Sequence, residues 1–328
     1  MRFGLVFLML FFGIEVLANE INRIVVVGGM WPLPSVITLV DNGAKKLVYI
    51  PKASINAIRE SVLATFYPDI LKVPYGNTQN IEEILNLKPD IVFCHASNVK
   101  LCDTIKSSGI PTIALSVNIG DYNYLLTLQD WLEKIGKVLS KEEMTNKLIK
   151  HNQEIESQIK SALKACKQIP KAMILHQYHH NEIIVDGLFA NYLLKTTGAR
   201  NVFSSIKANR KVNLEEIYAL NPEVIFITNF TQTMPKDLLE SKLWQGIDAI
   251  KNKRVYKIPL GSYRWFAPSA EFPVFLMWLA KKNHPKIFAN IDIQEQLKKH
   301  FKEFYGLKLD DAGVQKILHP SPKAGILY

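Results

Sequence analysis

Two stretches of the chain carry the same alternation of apolar and polar positions. Residues 80–95 read NIEEILNLKPDIVFCH and residues 213–229 read NLEEIYALNPEVIFITN. They align without a gap: Ile81 falls on Leu214, Glu82 on Glu215, Leu87 on Leu220, Pro89 on Pro222 and Phe93 on Phe226. In each copy the apolar residues Ile81, Ile84 and Leu85, or Leu214, Ile217 and Tyr218, keep helical spacing behind an asparagine suited to cap a helix. Proline then closes the helix, since it lacks an N–H and restricts the residue before it. The β-branched runs that follow, DIVF and EVIFI, read as parallel strands covered on both faces. The separation of the copies is that of a domain, far above the ~20–50 residues of a solenoid repeat. Two related lobes are expected.

Outward from the repeat, lobe one offers the strands RIVVVGG, KLVYI, DIVFCH and TIALSV, and lobe two offers KAMILHQ, EIIVDG, EVIFITN and RVYKIPLGS. Helical stretches alternate with them, the pattern of an open α/β sheet with right-handed crossovers. Between the lobes, Leu128, Trp131, Leu132, Ile135, Val138 and Leu139 keep helical spacing. Ser140 and Glu143 then offer a capping box, and Met144, Leu148, Ile155, Ile159 and Leu163 sustain a second helix of about 25 residues. Such a helix is a stiff strut that holds the lobes nearly fixed. The expected plan is a leader at 1–18, an N-terminal α/β lobe at 19–127, connecting helices at 128–166, a C-terminal α/β lobe at 167–320 and a tail at 321–328.

The leader is read from Arg2, the apolar run Phe3 to Ile14, and small or aliphatic residues at Val16 and Ala18, the pattern of a secretory signal cleaved after Ala18. Its apolar run is shorter than the ~20 residues of a membrane span. No cysteine stands at the cleavage site, so a soluble exported protein is expected, not a lipoprotein. With 48% hydrophobic and 21% charged residues the chain can bury two cores. Of three cysteines, Cys94 and Cys102 are near enough in sequence to pair, which spacing alone does not decide, and Cys166 reads as a buried apolar residue. The net charge of +10 reads as lysines on a solvated surface, and no nucleic-acid signature accompanies it.

Ligands of open α/β sheets sit beyond the carboxyl ends of the strands. That rule brings together GGMWPLP (28–34) and CHASN (94–98) with HQYHHN (176–181), TNFTQT (228–233) and GSYRWFAPS (261–269). Trp31, Tyr178, Tyr263, Trp265 and Phe266 supply flat walls, and Arg264 a planar cation for a carboxylate or phosphate. His95, His176, His179 and His180 fall on these loops, with His95 set opposite Thr228 and Asn229 by the repeat. HQYHH lacks cysteine partners at zinc-finger spacing, and HExxH, GxGxxG, P-loop and GxSxG motifs are missing. Three cysteines without CxxC spacing argue against a two-lobed metal-cluster oxidoreductase. No enzyme activity is expected.

Six segments in order carry a family resemblance: NIEEILNLKPDIVF, VLSKEE, GARNVF, NLEEIYALNPEVIFI, DAIKNKRVYKIP and FPVFLMWLAKKNHPKIF. Over nearly the whole mature chain the protein resembles the periplasmic substrate-binding proteins of iron–siderophore and cobalamin ABC importers, whose Rossmann-like lobes are joined by one long helix. The resemblance implies a ligand cleft between the lobes, a monomer, delivery to a permease in the inner membrane, and no permanent cofactor. It also implies that Glu82 and Glu215, which match the acidic positions of that family, meet arginines on the two halves of the permease. Family resemblance favours a ferric chelate, or cobalamin or haem. Imidazole suits nickel and other late divalent metals. The expected ligand is therefore a Ni(II) or Fe(III) chelate contacted by Trp31, His95, Tyr178, His179, His180, Asn229, Tyr263, Arg264 and Trp265, with His95 and His179 or His180 completing the metal's coordination.

Overall fold

The computed structural model describes residues 20–179, 182–185, 188–205 and 209–327. The expected leader and His180 lie outside them. Lobe one is a five-stranded, all-parallel sheet in the order β3-β2-β1-β4-β5. Its strands are β1 (Ile24–Val26), β2 (Leu47–Pro51), β3 (Tyr75–Gly76), β4 (Ile91–His95) and β5 (Thr112–Leu115). Lobe two carries β6 (Lys171–His179), β7 (Glu182–Val185), β8 (Arg200–Asn201), β9 (Arg210–Val212), β10 (Val224–Ile227) and β11 (Val255–Lys257). Their order is β11-β10-β6-β7-β9, with β8 beside β6.

The second sheet is mixed. β7 runs antiparallel to both β6 and β9, which corrects the expectation of alternating strands and helices in this lobe. Only two residues separate β6 from β7, whereas a parallel crossover takes about a dozen or more.

The repeated stretch folds as its pattern requires. Asn80 Oδ1 accepts from the Glu82 N–H at 2.9 Å, and Asn213 Oδ1 accepts from the Glu216 N–H at 2.8 Å, capping the helices Ile81–Asn86 and Leu214–Leu220. Each helix ends on a left-handed residue just before the proline, Lys88 at φ 47° and Asn221 at φ 43°. Ile84 and Ile217 point into the cores, and the apolar runs become the buried strands β4 and β10.

Two helices join the lobes, Tyr124–Leu139 and Glu142–Leu163. The second has 22 residues, about 33 Å at 1.5 Å per residue. Ser140 does not form the expected capping box. It adopts the left-handed conformation at φ 54° that ends the first helix, and Lys141 takes the N-cap position without a side-chain bond. The strut buries Leu148, Ile149, Ile155 and Ile159 and packs on the helix Phe272–Asn283. Its Glu156 carboxylate accepts from both the Lys160 ammonium and the Tyr192 hydroxyl, which fastens it to lobe two. Cys94 and Cys102 are disulfide-bonded, with Cα atoms 6.0 Å apart. Cys166 is a free, half-exposed thiol that donates to the Gln168 carbonyl, so it is not the buried apolar residue expected.

Candidate functional site

The strand-end rule turns the carboxyl ends of β1, β4, β6 and β10 toward one candidate cleft, and residues of both lobes meet there. Trp31 follows β1 in lobe one, and Phe230 follows β10 in lobe two. Their rings meet at 6.3 Å. Phe230 also stacks on His176, the residue of β6 that reaches the cleft, at 4.9 Å, and Phe266 closes on the same imidazole at 6.2 Å. Phe230 thus packs against rings of both lobes, whereas Phe266, 2% exposed, lies in the buried layer behind it. The sequence had put both on cleft loops, but only the packing distinguishes Phe230 from its neighbours.

His95 ends β4 and is half-buried. Its ring lies along the Gly29 backbone, where a Cβ would come within 3.2 Å of His95 Cδ2, so glycine leaves the room the ring occupies. The Ser97 N–H donates to His95 Nδ1 at 3.1 Å, and Ser97 Oγ lies 2.6 Å from the same nitrogen. Nδ1 is therefore the lone-pair nitrogen, and a neutral ring carries its proton on Nε2. Burial holds the His95 pKa below the usual histidine value, so the neutral form prevails at neutral pH. His95 offers a hydrogen-bond donor through Nε2. His176 is neutral as well: burial, with the charge of Arg264 nearby, brings it down to about 4.

Four expected contacts belong instead to a buried layer behind the cleft. Arg264, Tyr263 and Trp265 are 0% exposed and Asn229 1%. Arg264 was expected to meet an anionic ligand, but it donates to the carbonyls of Asn229 and Ala324 and to the Tyr263 hydroxyl, each at 2.7 Å. Asn229 Nδ2 donates to the carbonyls of Ile258 and Pro259. The Trp265 ring packs on Phe275, and its carbonyl accepts from the Tyr124 hydroxyl. An arginine inside a protein must satisfy its N–H groups, and here backbone carbonyls do so.

Tyr178 also sits apart from the group around Phe230. A register shift between Leu175 and Gln177 interrupts the alternation of β6, and the Tyr178 ring packs edge-on against Trp244 in the core of lobe two. His179, at the end of β6, is exposed. Among the described residues no three histidine, cysteine, aspartate or glutamate side chains come together as a metal site.

Lys257 braces the loop that carries Phe230. Its ammonium donates to the carbonyls of Thr228, Thr231 and Thr233 at 2.7 to 2.9 Å. Burial, with the charge of Arg264, lowers its pKa to about 7.

The model of the family described as periplasmic binding protein matches residues 48–260, more than half of the chain. The chain belongs to this family. This periplasmic binding protein is 26% identical to the molybdate-binding protein MolA of Haemophilus influenzae, over 70% of each chain. The crystal structure of a periplasmic solute-binding protein from Veillonella parvula superposes with a TM-score of 0.81 at 30% identity, covering 91% of this chain and 92% of that one. Helicobacter pylori CeuE with Ni(II) bound shares the fold at a TM-score of 0.71 and 24% identity, covering 90% and 94%. The protein is a solute-binding component of the ABC-importer type and not an enzyme. Among the described residues no helix is long and apolar enough to cross a membrane.

Proposed function

We propose that this binding protein captures a preassembled metal complex or metal oxyanion that presents oxygen acceptors, and delivers it as a monomer to an inner-membrane ABC permease. The observation that carries this reading is the bond from the Ser97 N–H to His95 Nδ1. With Nδ1 occupied by the Ser97 N–H, the ring offers Nε2–H, a donor suited to an oxygen of a chelate, siderophore or oxyanion and not to a bare cation. Trp31, Phe230 and His176 supply a largely apolar wall for the body of the ligand.

The named ligands of similar proteins, molybdate for MolA and Ni(II) for CeuE, stand on either side of this distinction and define the test. Native mass spectrometry and calorimetry with molybdate, ferric citrate, nickel–histidine and bare Ni²⁺ should show retention of a complex or oxyanion, with bare Ni²⁺ at least about tenfold weaker. Tighter binding of bare Ni²⁺ overturns the reading and returns direct coordination by His95 with His179 or His180.

Glu82 and Glu215 are the docking residues of this reading. Both are exposed, at matched positions in the first turns of their helices. Their neighbours are engaged: Glu83 accepts from Thr78, and Glu216 pairs with Arg210. Glu82 and Glu215 make no side-chain bond within the described residues, which suits carboxylates that meet arginines of a two-fold partner.

A further inference from the structure

Arg264 is the largest charged side chain in the interior, fully buried, and no carboxylate pairs with it among the described residues. Interior charges are costly unless dipoles surround them, so the placement of its acceptors is informative. They come from three separate parts of the chain. Nε donates to Asn229 O of the cleft loop at 2.7 Å, and Nη2 donates to Ala324 O of the C-terminal residues at 2.7 Å. Nη1 reaches Ala53 O of lobe one at 3.4 Å, in the first turn of the helix Lys52–Glu60. The face of the guanidinium lies 4.8 Å from the Phe230 ring.

The C-terminal residues are held on both sides. The short turn Pro322–Gly325 packs on the helix Lys52–Glu60 of lobe one, and Asn56 Nδ2 donates to Ile326 O at 3.3 Å. Just upstream, Lys316 donates to Ser61 O at 3.0 Å. On the other side Gly325 lies so close to the backbone of Thr231 that a Cβ would collide with its carbonyl group. The helix turn that accepts from Arg264 also fixes the opposite wall, since Ser54 Oγ donates to Trp31 O at 2.7 Å. A continuous path therefore runs from Trp31 through Ser54 and Ala53 to Arg264, and on to Asn229 and Phe230.

We propose that Arg264 is a positioning residue of the cleft, and that with residues 322–327 it forms a strap between the lobes that sets the Trp31–Phe230 separation. The strut joins the lobes through the backbone, whereas the strap joins them beside the ligand walls. Lysine cannot substitute for Arg264, because a point donor does not span three acceptors in different directions. The strap residues need not touch the ligand to determine the distance between the walls that do.

The test needs no ligand. Trp31 is half-buried, whereas Trp131, Trp244, Trp265 and Trp278 are buried, so acrylamide quenching reports on Trp31, with Trp31→Phe as the blank. Asn56→Ala, Arg264→Lys, Gly325→Val and a chain ending at Ser321 should each raise the Trp31 quenching constant about twofold. Amide exchange across 228–233 should accelerate about tenfold or more, while β1, β4, β6 and β10 keep their protection. If the shortened chain or Gly325→Val does not fold, Asn56→Ala and Arg264→Lys decide the matter by the same two readouts. Unchanged quenching and exchange in those folded variants overturns the proposal. So does loss of protection spread evenly through both lobes, which is the signature of general packing.

Discussion

The rings of Trp31 and Phe230 belong to different lobes and meet with their centroids 6.3 Å apart, tilted by 45°. Each is held from behind by its own lobe: Ser54 bonds the Trp31 carbonyl, and Arg264 and His176 flank Phe230. Ligand that enters the cleft must therefore contact or part these rings. Trp31→Ala should remove the ligand-induced change in fluorescence and weaken binding about tenfold, roughly 1.4 kcal/mol, as read by calorimetry with the complex that native mass spectrometry retains.

His95 separates the donor role from metal coordination by its pH response. Protonation of an imidazole leaves Nε2–H in place but abolishes its use as a metal ligand. Affinity for an oxygen-bearing complex should hold or rise between pH 7.5 and 5.5, and His95→Gln, which keeps an N–H, should retain more affinity than His95→Ala. Binding that fails steeply over that range in the wild type, with His95→Gln and His95→Ala equally impaired already at pH 7.5, would support coordination through nitrogen.

Glu82 and Glu215 should matter only at the membrane. The double alanine variant should bind ligand and unfold like the wild type while uptake through the cognate importer is lost. Normal uptake would leave these carboxylates as complements to the helix dipoles, worth about 0.3–1 kcal/mol each.

Two sets of buried groups give stability opposing dependences on pH. Burial pushes Glu271 up to about 7 against the pull of the Ser262 N–H, so between the unfolded value of 4.5 and 7 the folded state holds a proton that the unfolded state has released. Its contribution therefore falls as pH rises. His300 is held down to about 3 by burial and by His151, and His176 to about 4, from an unfolded value of 6.5. Below 6.5 the unfolded chain takes up these protons and the folded one does not, so stability falls as pH drops. Glu271→Gln should be more stable than the wild type at pH 8 by about 3 kcal/mol in urea unfolding and retain only the loss on the acid side.

Lys257→Met should loosen the Phe230 loop, because it strips the Nζ donor from the carbonyls of Thr228, Thr231 and Thr233. A cost of about 2–4 kcal/mol is expected, with raised amide exchange confined to 228–233.

Local pattern was enough to specify the repeated helix and strand. Asn80 and Asn213 cap because an asparagine before a helical apolar set has a nearby N–H to accept from, and β4 and β10 are buried because their runs carry no polar face. The two-lobed plan and the strut followed from the same local signals, and the family from the resemblance that six segments carry together. Which residue of a loop faces the ligand was decided by tertiary structure. A register shift in β6 and the packing of Trp244 set Tyr178 apart from His176. Arg264, Tyr263 and Asn229, which read as ligand contacts, are buried: backbone carbonyls accept from Arg264 and from the Asn229 amide, and the Tyr263 hydroxyl accepts from Arg264. The tautomer of His95 depends on the Ser97 N–H, and so on how the chain turns after β4. Spacing along a chain fixes which side chains share a face of one element. It carries no information about carbonyls that arrive from Ala53 and Ala324, and those carbonyls decide that Arg264 supports the site and does not line it.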